Sequence, residues 1–207
     1  MKRIDTQNGP RWYELPDGVR LPSVTTILRA VAKPALIPWA AERERIAVVE
    51  HAANLYEDAP VKPRLSRTAF IASLYSRLGK PANEVESKAA ASSGSQAHRL
   101  IEWALRGGIG RPPEANAEAI YAAGAFEAWA SGRDIKPLLI EQEVWSREWG
   151  FAGTMDLLTD GEVMDWKTGH AISPEARLQV AAYAHALVEM GHAQWPLRGR
   201  IVLFPRD

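Results

Sequence analysis

Two aspartates in the segment from Phe151 to Gly169 have a spacing that could bind a metal ion. Asp160-Gly161 is a two-residue turn signal between two extended runs, which is typical of a type I′ β-hairpin. If these two residues form the turn, counting outward in step places Asp156 directly opposite Asp165. Like charges that face each other across a sheet are unfavourable unless a cation lies between them. The hairpin therefore predicts a site for a divalent metal ion.

Lys167 adds a positive charge to the same predicted site. Strand alternation puts its side chain on the face of Asp165, two residues earlier. Two carboxylates and one ammonium could bind a divalent ion and the phosphate that it activates. Met164 and Trp166 alternate to the other face and are predicted to be core. A surface ladder of ion pairs is the alternative for the charged residues.

The surrounding sequence predicts an α/β fold that positions this hairpin. Residues 1–21 are expected to be extended or loop-like. Helices are expected over 39–54, 68–78 and 113–130, and residues 83–106 are expected to form one or two helices. A strand over 138–145, the hairpin, a helix over 173–190 and a strand over 199–204 are expected to follow. We assign residues 1–90 to an N-terminal helical section of the same domain and residues 91–207 to an α/β core.

Two pairs of polar residues lie four positions apart on predicted helices, which puts each pair on one helix face. His98 and Glu102 precede the hairpin, and His98 could complete the ligands of a metal if its helix crosses the sheet above the aspartates. Gln179 and Tyr183 follow the hairpin and could position a phosphate or hydrogen-bond Lys167. Ordinary solvated helix faces are the alternative for both pairs.

Two glutamates, Glu141 and Glu143, share one face of the strand predicted before the hairpin. One of them could point toward the site as an outer carboxylate, and Glu143 is taken as that supporting residue. A solvent-facing strand edge is the alternative.

The composition excludes several other kinds of site. The 207 residues include no cysteine, so disulfides, zinc–thiolate sites and iron–sulfur clusters are excluded. The first residues lack the apolar segment of a signal peptide, and no apolar run is long enough to span a membrane. A cytoplasmic location fits these features best.

The formal net charge is zero, but the charges are unevenly distributed along the chain. Basic residues outnumber acidic ones from Arg29 to Lys80, and the reverse holds from Asp134 to Asp165. This arrangement suits a surface that grips a polyanion beside a metal centre. Chance clustering on solvated surfaces is the alternative.

Four short motifs occur in an order that resembles a known superfamily. They are HxxxE at His98, GTMD ending at Asp156, DWKTG over 165–169 and QxxxY at Gln179. Together they resemble the PD-(D/E)XK nuclease superfamily, and within it the RecB-type nuclease domains and the exonucleases of phages and of mitochondrial genome maintenance. The segment PSVTTIL over 22–28 is similar to an N-terminal motif of that branch.

This resemblance implies a restriction-endonuclease-like fold, with a mixed β-sheet core flanked by helices. It also implies a role for each matched residue. The metal ligands would be the side chains of His98, Asp156 and Asp165 and the backbone carbonyl of Trp166, which would hold one or two Mg²⁺ or Mn²⁺ ions. Lys167 would orient the attacking water and stabilise charge on the scissile phosphate.

Gln179 and Tyr183 would support the catalytic site and the DNA backbone, with Glu102 as a further supporting residue. The implied function is a metal-dependent DNA nuclease, an exonuclease on single-stranded or end-frayed DNA, with residues 1–90 shaping a DNA channel. The alternatives are a structure-specific endonuclease on branched DNA and a nucleic-acid-binding module that keeps the nuclease fold without catalysis. The expected location is the cytoplasm of a bacterium or, for a phage-encoded protein, of its host.

Overall fold

The structure, a computed structural model, describes residues 1–5, 9–30, 36–57, 67–78 and 81–205. The chain divides into two compact units, one formed by Met1–Val31 with Ser93–Asp207 and the other by Ala32–Ser92. Helices and two open sheets make the fold mixed α/β, as the sequence predicted. None of the helices in the described part of the chain is both long enough and apolar enough to cross a membrane.

The first unit begins with a small antiparallel sheet, in the stretch that was expected to be extended or loop-like. Its three neighbouring strands are β1 (Lys2–Asp5), β2 (Arg11–Glu14) and β3 (Arg20–Pro22). The short helix α1 (Val24–Leu28) follows, and the Ser23 side chain caps it by accepting a hydrogen bond from the Thr26 amide at 3.0 Å. The section predicted to be helical therefore starts with strands.

The second unit is helical. It contains α2 (Leu36–Glu57), α3 (Arg67–Leu78) and the part of α4 (Ala82–Leu105) up to Ser92. The observed α2 extends beyond the predicted helix at both ends, and α4 is one helix where the sequence allowed one or two. The Asn83 amide donates a hydrogen bond to the Glu44 carboxylate at 3.0 Å, which ties the start of α4 to α2.

A four-stranded mixed sheet forms the centre of the first unit. The elements that follow α4 are α5 (Ala117–Ala130), β4 (Leu139–Ser146), β5 (Phe151–Thr159), β6 (Glu162–Thr168), α6 (Pro174–Glu189) and β7 (Arg198–Phe204). The strands lie in the order β4-β5-β6-β7, with β7 parallel to β6 and the other pairs antiparallel. The predicted order of three strands, a helix and a last strand is confirmed.

Two buried clusters cover the two faces of this sheet. The first packs α6 against the sheet and includes Val163 and Leu187. The second packs α4 and α5 against the other face and includes Ile101 and Met164. Trp166 is 1% exposed and belongs to the second cluster, so the prediction that Met164 and Trp166 are core is confirmed.

The alternation of side chains reverses at one level of the sheet. Leu139 and Val144 in β4 both pack in the cluster on the α6 face, although strict alternation would put them on opposite faces. Met155 and Leu158 in β5 both pack in that same cluster, against the same rule. The reversal falls at Glu141 in β4 and at Asp156, which faces it in β5.

Candidate metal centre

The hairpin between β5 and β6 has the register that the sequence predicted. Thr159 pairs with Glu162 across the Asp160-Gly161 turn. The predicted type I′ conformation is wrong, because it needs positive φ at both central residues and here only Gly161 has it, at +75°. The backbone ladder stops one step short of Asp156 and Asp165, which come next in the same register. Both carboxylates are buried, with exposures of 5% and 1%.

The Asp156 carboxylate supplies a hydrogen bond between β5 and β6 at the level where their backbone ladder has stopped. Its Oδ2 accepts a hydrogen bond from the backbone amide of Trp166 at 2.5 Å. The Trp166 ring packs edge-on against Phe126, with ring centroids 5.4 Å apart. Trp166 is therefore held both by its backbone amide and by its side chain. The role of the Trp166 carbonyl as a metal ligand stays a prediction.

His98 on α4 brings two carboxylates together. Its Nδ1 lies 3.4 Å from Oδ1 of Asp156 and 3.6 Å from Oε1 of Glu141. One potential ligand atom from each of these three side chains lies within 4.8 Å of the other two. We call these residues the ligand trio. Among the described residues this is the group whose donor types and spacing could hold a metal ion.

Glu141 reaches His98 because its backbone conformation is unusual. Its φ is +48°, and in the described part of the chain no other non-glycine residue has a positive φ. The ladder between β4 and β5 pairs Ile140 and Gln142 but passes over Glu141, which faces Asp156. This left-handed residue turns its carboxylate toward α4 and accounts for the reversal of alternation in β4.

The sequence assigned the supporting position to Glu143, whereas the glutamate that contacts His98 in the structure is Glu141. The Glu143 carboxylate is 34% exposed and lies 4.0 Å from the amino group of Met1. Glu141, two residues earlier in β4, lies 3.6 Å from His98 Nδ1 instead. The contact with His98 is therefore made by Glu141, which strand alternation alone could not distinguish from Glu143.

The charged side chains of the trio shift one another's pKa values. Burial disfavours the imidazolium, but the carboxylates of Asp156 and Glu141 outweigh this effect and raise the pKa of His98 to about 10. Burial also raises the pKa of Glu141, against the opposing effect of His98. In the metal-free protein at neutral pH, the His98 proton thus supplies the positive charge that a metal cation would bring.

Asp165 and Lys167 form a second charged pair on the same hairpin. The Lys167 ammonium contacts Asp165 Oδ2 as an ion pair, and that oxygen accepts no well-directed hydrogen bond from the described residues. Burial and the charge of Asp156 raise the pKa of Asp165 to about 6, against the effect of Lys167. The Lys167 side chain is 28% exposed, so it is partly open to solvent.

Gln179 and Tyr183 lie together on α6, as the sequence predicted. The Gln179 amide donates a hydrogen bond to the Tyr183 hydroxyl at 2.9 Å. Burial raises the pKa of Tyr183 far above its usual value, and the charges of Asp165 and Asp156 raise it further, so the phenol is neutral. Gly153 in β5 makes room for the ring, because a Cβ at that position would lie 2.5 Å from Tyr183 Cε1.

Glu102 lies one turn after His98 on α4, outside the ligand trio. Its carboxylate accepts a hydrogen bond from Nε of Arg106 at 3.0 Å and is 33% exposed. Its charge adds to the burial that raises the pKa of Glu141. Glu102 is therefore close enough to influence the trio without belonging to it.

Tyr13 of the N-terminal sheet reaches the same region, which the sequence did not signal. Its hydroxyl forms a hydrogen bond with Oγ1 of Thr154 in β5 at 3.0 Å, and the side chain is 1% exposed. No periodicity or spacing links two residues so far apart in the chain. The contact could have been found only from the folded structure.

The structure thus gathers most of the sequence-predicted site residues around one hairpin. These residues are His98, Asp156, Asp165, Trp166, Lys167, Gln179 and Tyr183. The ligand trio takes its third member from Glu141 rather than from Asp165. Comparison with protein-family models finds no family that matches the chain, and comparison with curated proteins finds no matching relative.

The donor atoms of the trio fit a divalent cation. One imidazole nitrogen and two carboxylate oxygens suit Mn²⁺, and Mg²⁺ accepts the oxygen donors more readily than the imidazole. Asp165 Oδ2, buried without a well-directed hydrogen bond, is a further oxygen whose charge acts on the same cluster. With no cysteine in the chain, an iron–sulfur cluster is excluded.

Proposed function

We propose that the protein is a metal-dependent DNA nuclease that hydrolyses phosphodiester bonds, acting as an exonuclease on single-stranded or end-frayed DNA. One observation carries this proposal. A buried trio of metal-binding side chains, His98, Glu141 and Asp156, adjoins an ion pair of Asp165 with the partly exposed Lys167. A binding role alone requires neither a ligand trio nor an accessible ammonium beside it.

The trio supports binding of Mg²⁺ or Mn²⁺. An ion held by His98, Glu141 and Asp156 would supply Lewis acidity toward a phosphate oxygen and lower the pKa of a bound water. Asp165 and the Trp166 carbonyl, the further ligands that the resemblance implies, belong to the strand whose amide anchors Asp156. Asp156, Asp165 and the Trp166 carbonyl therefore depend on one hairpin for their placement, while His98 comes from α4 and Glu141 from β4.

Lys167 supports the phosphodiester chemistry through its charge. In hydrolysis a water oxygen bonds to phosphorus and the bond to the leaving sugar oxygen breaks, while negative charge grows on the phosphoryl oxygens. The ammonium of Lys167 can approach those oxygens because part of the side chain is exposed. Asp165 holds the ammonium at the hairpin, so the stabilising charge is in place before the reaction.

Gln179 and Tyr183 support the site from α6. Because the Gln179 amide donates to the phenol oxygen, the phenol proton is free to donate to an anionic group. Asp156 and Asp165 are the charged groups whose fields act on this phenol. The pair can therefore fix the orientation of a carboxylate or of a bound phosphate.

The remaining parts of the proposal come from the resemblance of the motifs. The mixed sheet with helices on both faces is compatible with a restriction-endonuclease-like fold, which we propose for residues 91–207. Residues 1–90 are proposed to shape the channel that admits a DNA end. A cytoplasmic location, in a bacterium or in the host of a phage, belongs to the same proposal.

A cleavage assay tests this function. End-labelled single-stranded, double-stranded, flapped and covalently closed circular DNA are incubated with Mn²⁺ or Mg²⁺ and with excess EDTA. We expect single-stranded and flapped ends to be shortened, closed circles to stay intact and EDTA to stop the reaction. Asp165→Asn and Lys167→Ala should lower the rate at least about 100-fold, the loss typical when one preorganised charge is removed from a transition state.

Matched variants separate the site from general charge effects. Asp160→Asn changes an exposed aspartate of the same hairpin, and Lys136→Ala removes an exposed lysine that pairs with Asp134 at 2.7 Å. Both should cut at the wild-type rate. Intact DNA of every kind with wild-type protein, or equal cutting by Asp165→Asn, would contradict the nuclease proposal. Cutting of closed circles would contradict only the exonuclease part.

A further inference from the structure

The backbone at Glu141 needs an external constraint. Residues with a Cβ rarely adopt positive φ, and such conformations persist where the surroundings hold them. The ladder between β4 and β5 does not pair Glu141 itself. A neighbouring group must therefore keep this residue in the conformation that points its carboxylate at His98.

Arg106 contacts the peptide bond at which the kink begins. Its Nη2 donates a hydrogen bond to the carbonyl oxygen of Ile140, the residue before Glu141, at 3.0 Å. The same guanidinium donates through Nε to the Glu102 carboxylate, also at 3.0 Å. One planar side chain thus joins β4 to α4, with its orientation set by two hydrogen bonds.

The residues of this link share a helix face with the ligand trio. His98, Glu102 and Arg106 follow one another at intervals of four residues along α4 and the turn that ends it. We propose that Arg106 is a positioning residue that keeps the Glu141 carboxylate on His98, with Glu102 orienting the guanidinium. This inference rests on the proposed metal centre and assigns a task to Glu102, which stands outside the ligand trio.

The sign of the expected effect distinguishes positioning from charge. Arg106 is a cation, so its removal on electrostatic grounds alone should strengthen the binding of another cation nearby. If Arg106 positions Glu141, its removal weakens metal binding instead. The Arg106 side chain is 54% exposed, and exposed ion pairs contribute little to stability, so the variants should fold.

A Mn²⁺-binding assay on the purified 207-residue protein tests the proposal without DNA. The electron paramagnetic resonance signal of free Mn²⁺ measures the binding. Arg106→Ala should bind Mn²⁺ about tenfold or more weakly than wild type, as is typical for groups that orient metal ligands. Arg106→Lys keeps the charge but cannot bridge both acceptors, and it should also weaken binding. Glu102→Gln removes the carboxylate that orients the guanidinium but keeps an oxygen acceptor, so it should weaken Mn²⁺ binding by less than Arg106→Ala does. Arg111→Ala, which removes an exposed arginine paired with Glu114 at 3.3 Å, is the matched control and should have no effect.

A double-variant cycle identifies the residue through which Arg106 acts. In a Glu141→Ala background, Arg106→Ala should cause no further loss of Mn²⁺ affinity, because the carboxylate that it positions is gone. An equal further loss would overturn the positioning role, and so would Arg106→Ala that binds as tightly as wild type or tighter. Wild-type protein that binds no Mn²⁺ would overturn the metal centre itself, and with it this inference.

Discussion

Glu141 and Asp156 face each other on β4 and β5 and share one partner, Nδ1 of His98, at 3.6 and 3.4 Å. Each carboxylate is fixed differently. Asp156 is held by the Trp166 amide, and Glu141 is held by a left-handed backbone. Two strands and a helix are thereby joined at one point, and a bound cation would link all three.

Glu141→Gln should weaken Mn²⁺ binding at least about tenfold, or about 1.4 kcal/mol, because it removes an anionic ligand without changing the shape of the side chain. Titration calorimetry of the 207-residue protein measures this loss of affinity. Glu143→Gln is the matched control, since it makes the same change two residues later, where the carboxylate lies by Met1. Equal weakening by the two variants would show that general charge, and not the trio, holds the ion.

Mn²⁺ affinity should rise with pH. The pKa of His98 is raised to about 10 by the two carboxylates that overcome its burial, so below that pH metal binding displaces the imidazole proton. One displaced proton gives about a tenfold increase in affinity per pH unit between roughly pH 6.5 and pH 8.5. The pH dependence of the Mn²⁺ dissociation constant checks this. His98→Gln should bind weakly and with a flatter pH dependence, and an unchanged slope in that variant would contradict the assignment.

Asp165→Asn should stabilise the metal-free protein at pH 8 by about 1–3 kcal/mol, because it removes a buried charge whose partner Lys167 is partly solvated. The pKa of Asp165 is raised from its ordinary value of 3.8 to about 6. A carboxyl group whose pKa is raised by folding contributes stability at a pH below its pKa in the unfolded chain. This stability is lost as the pH rises through its pKa in the folded protein. The advantage of the variant should therefore be smaller at pH 5 than at pH 8.

Urea unfolding with EDTA measures this advantage at the two pH values. Added Mn²⁺ should reverse the order at pH 8, since an ion that binds only the folded state stabilises the wild type by mass action. A wild type that stays the less stable protein in saturating Mn²⁺ would contradict the role of Asp165 near the ion.

Gly153→Ala should destabilise the protein by about 1–3 kcal/mol, because the new methyl group would overlap the Tyr183 ring in a packed interior. Thermal unfolding measures the loss. Gly124→Ala in α5 is the control, since nothing lies within 4 Å of the new Cβ atom. It should stabilise the protein, because alanine is more favourable than glycine in a helix by about 0.8–1 kcal/mol. In a Tyr183→Ala background the cost of Gly153→Ala should largely disappear.

Local sequence signals located much of the site. The Asp160-Gly161 turn sets the strand register, and Ser173 with Pro174 marks the start of α6. Helical spacing alone put Gln179 beside Tyr183. These features depend on a few neighbouring residues, so physical rules of short range are enough to predict them.

Other features depend on backbone geometry or on contacts between distant segments. Left-handed backbone is usually signalled in a sequence by glycine, and position 141 is a glutamate. Strand alternation therefore gave no reason to prefer Glu141 over Glu143 as the residue near the site. Tyr13 reaches Thr154 from the other end of the chain. Neither relationship is encoded in the spacing of nearby residues, and each becomes visible only when the strands are placed side by side.

The shared reversal of alternation in β4 and β5 means that a change in the length of one strand affects its packing and pairing with the other. A single insertion or deletion on one side of Glu141 would turn part of β4 inside out, because a one-residue slip moves apolar side chains to the other face. Point substitutions within β4 leave the strand register unchanged, so they would not restore its match to β5. Homologous chains that keep this centre should therefore conserve the length between Glu141 and Asp156 or change both strands together.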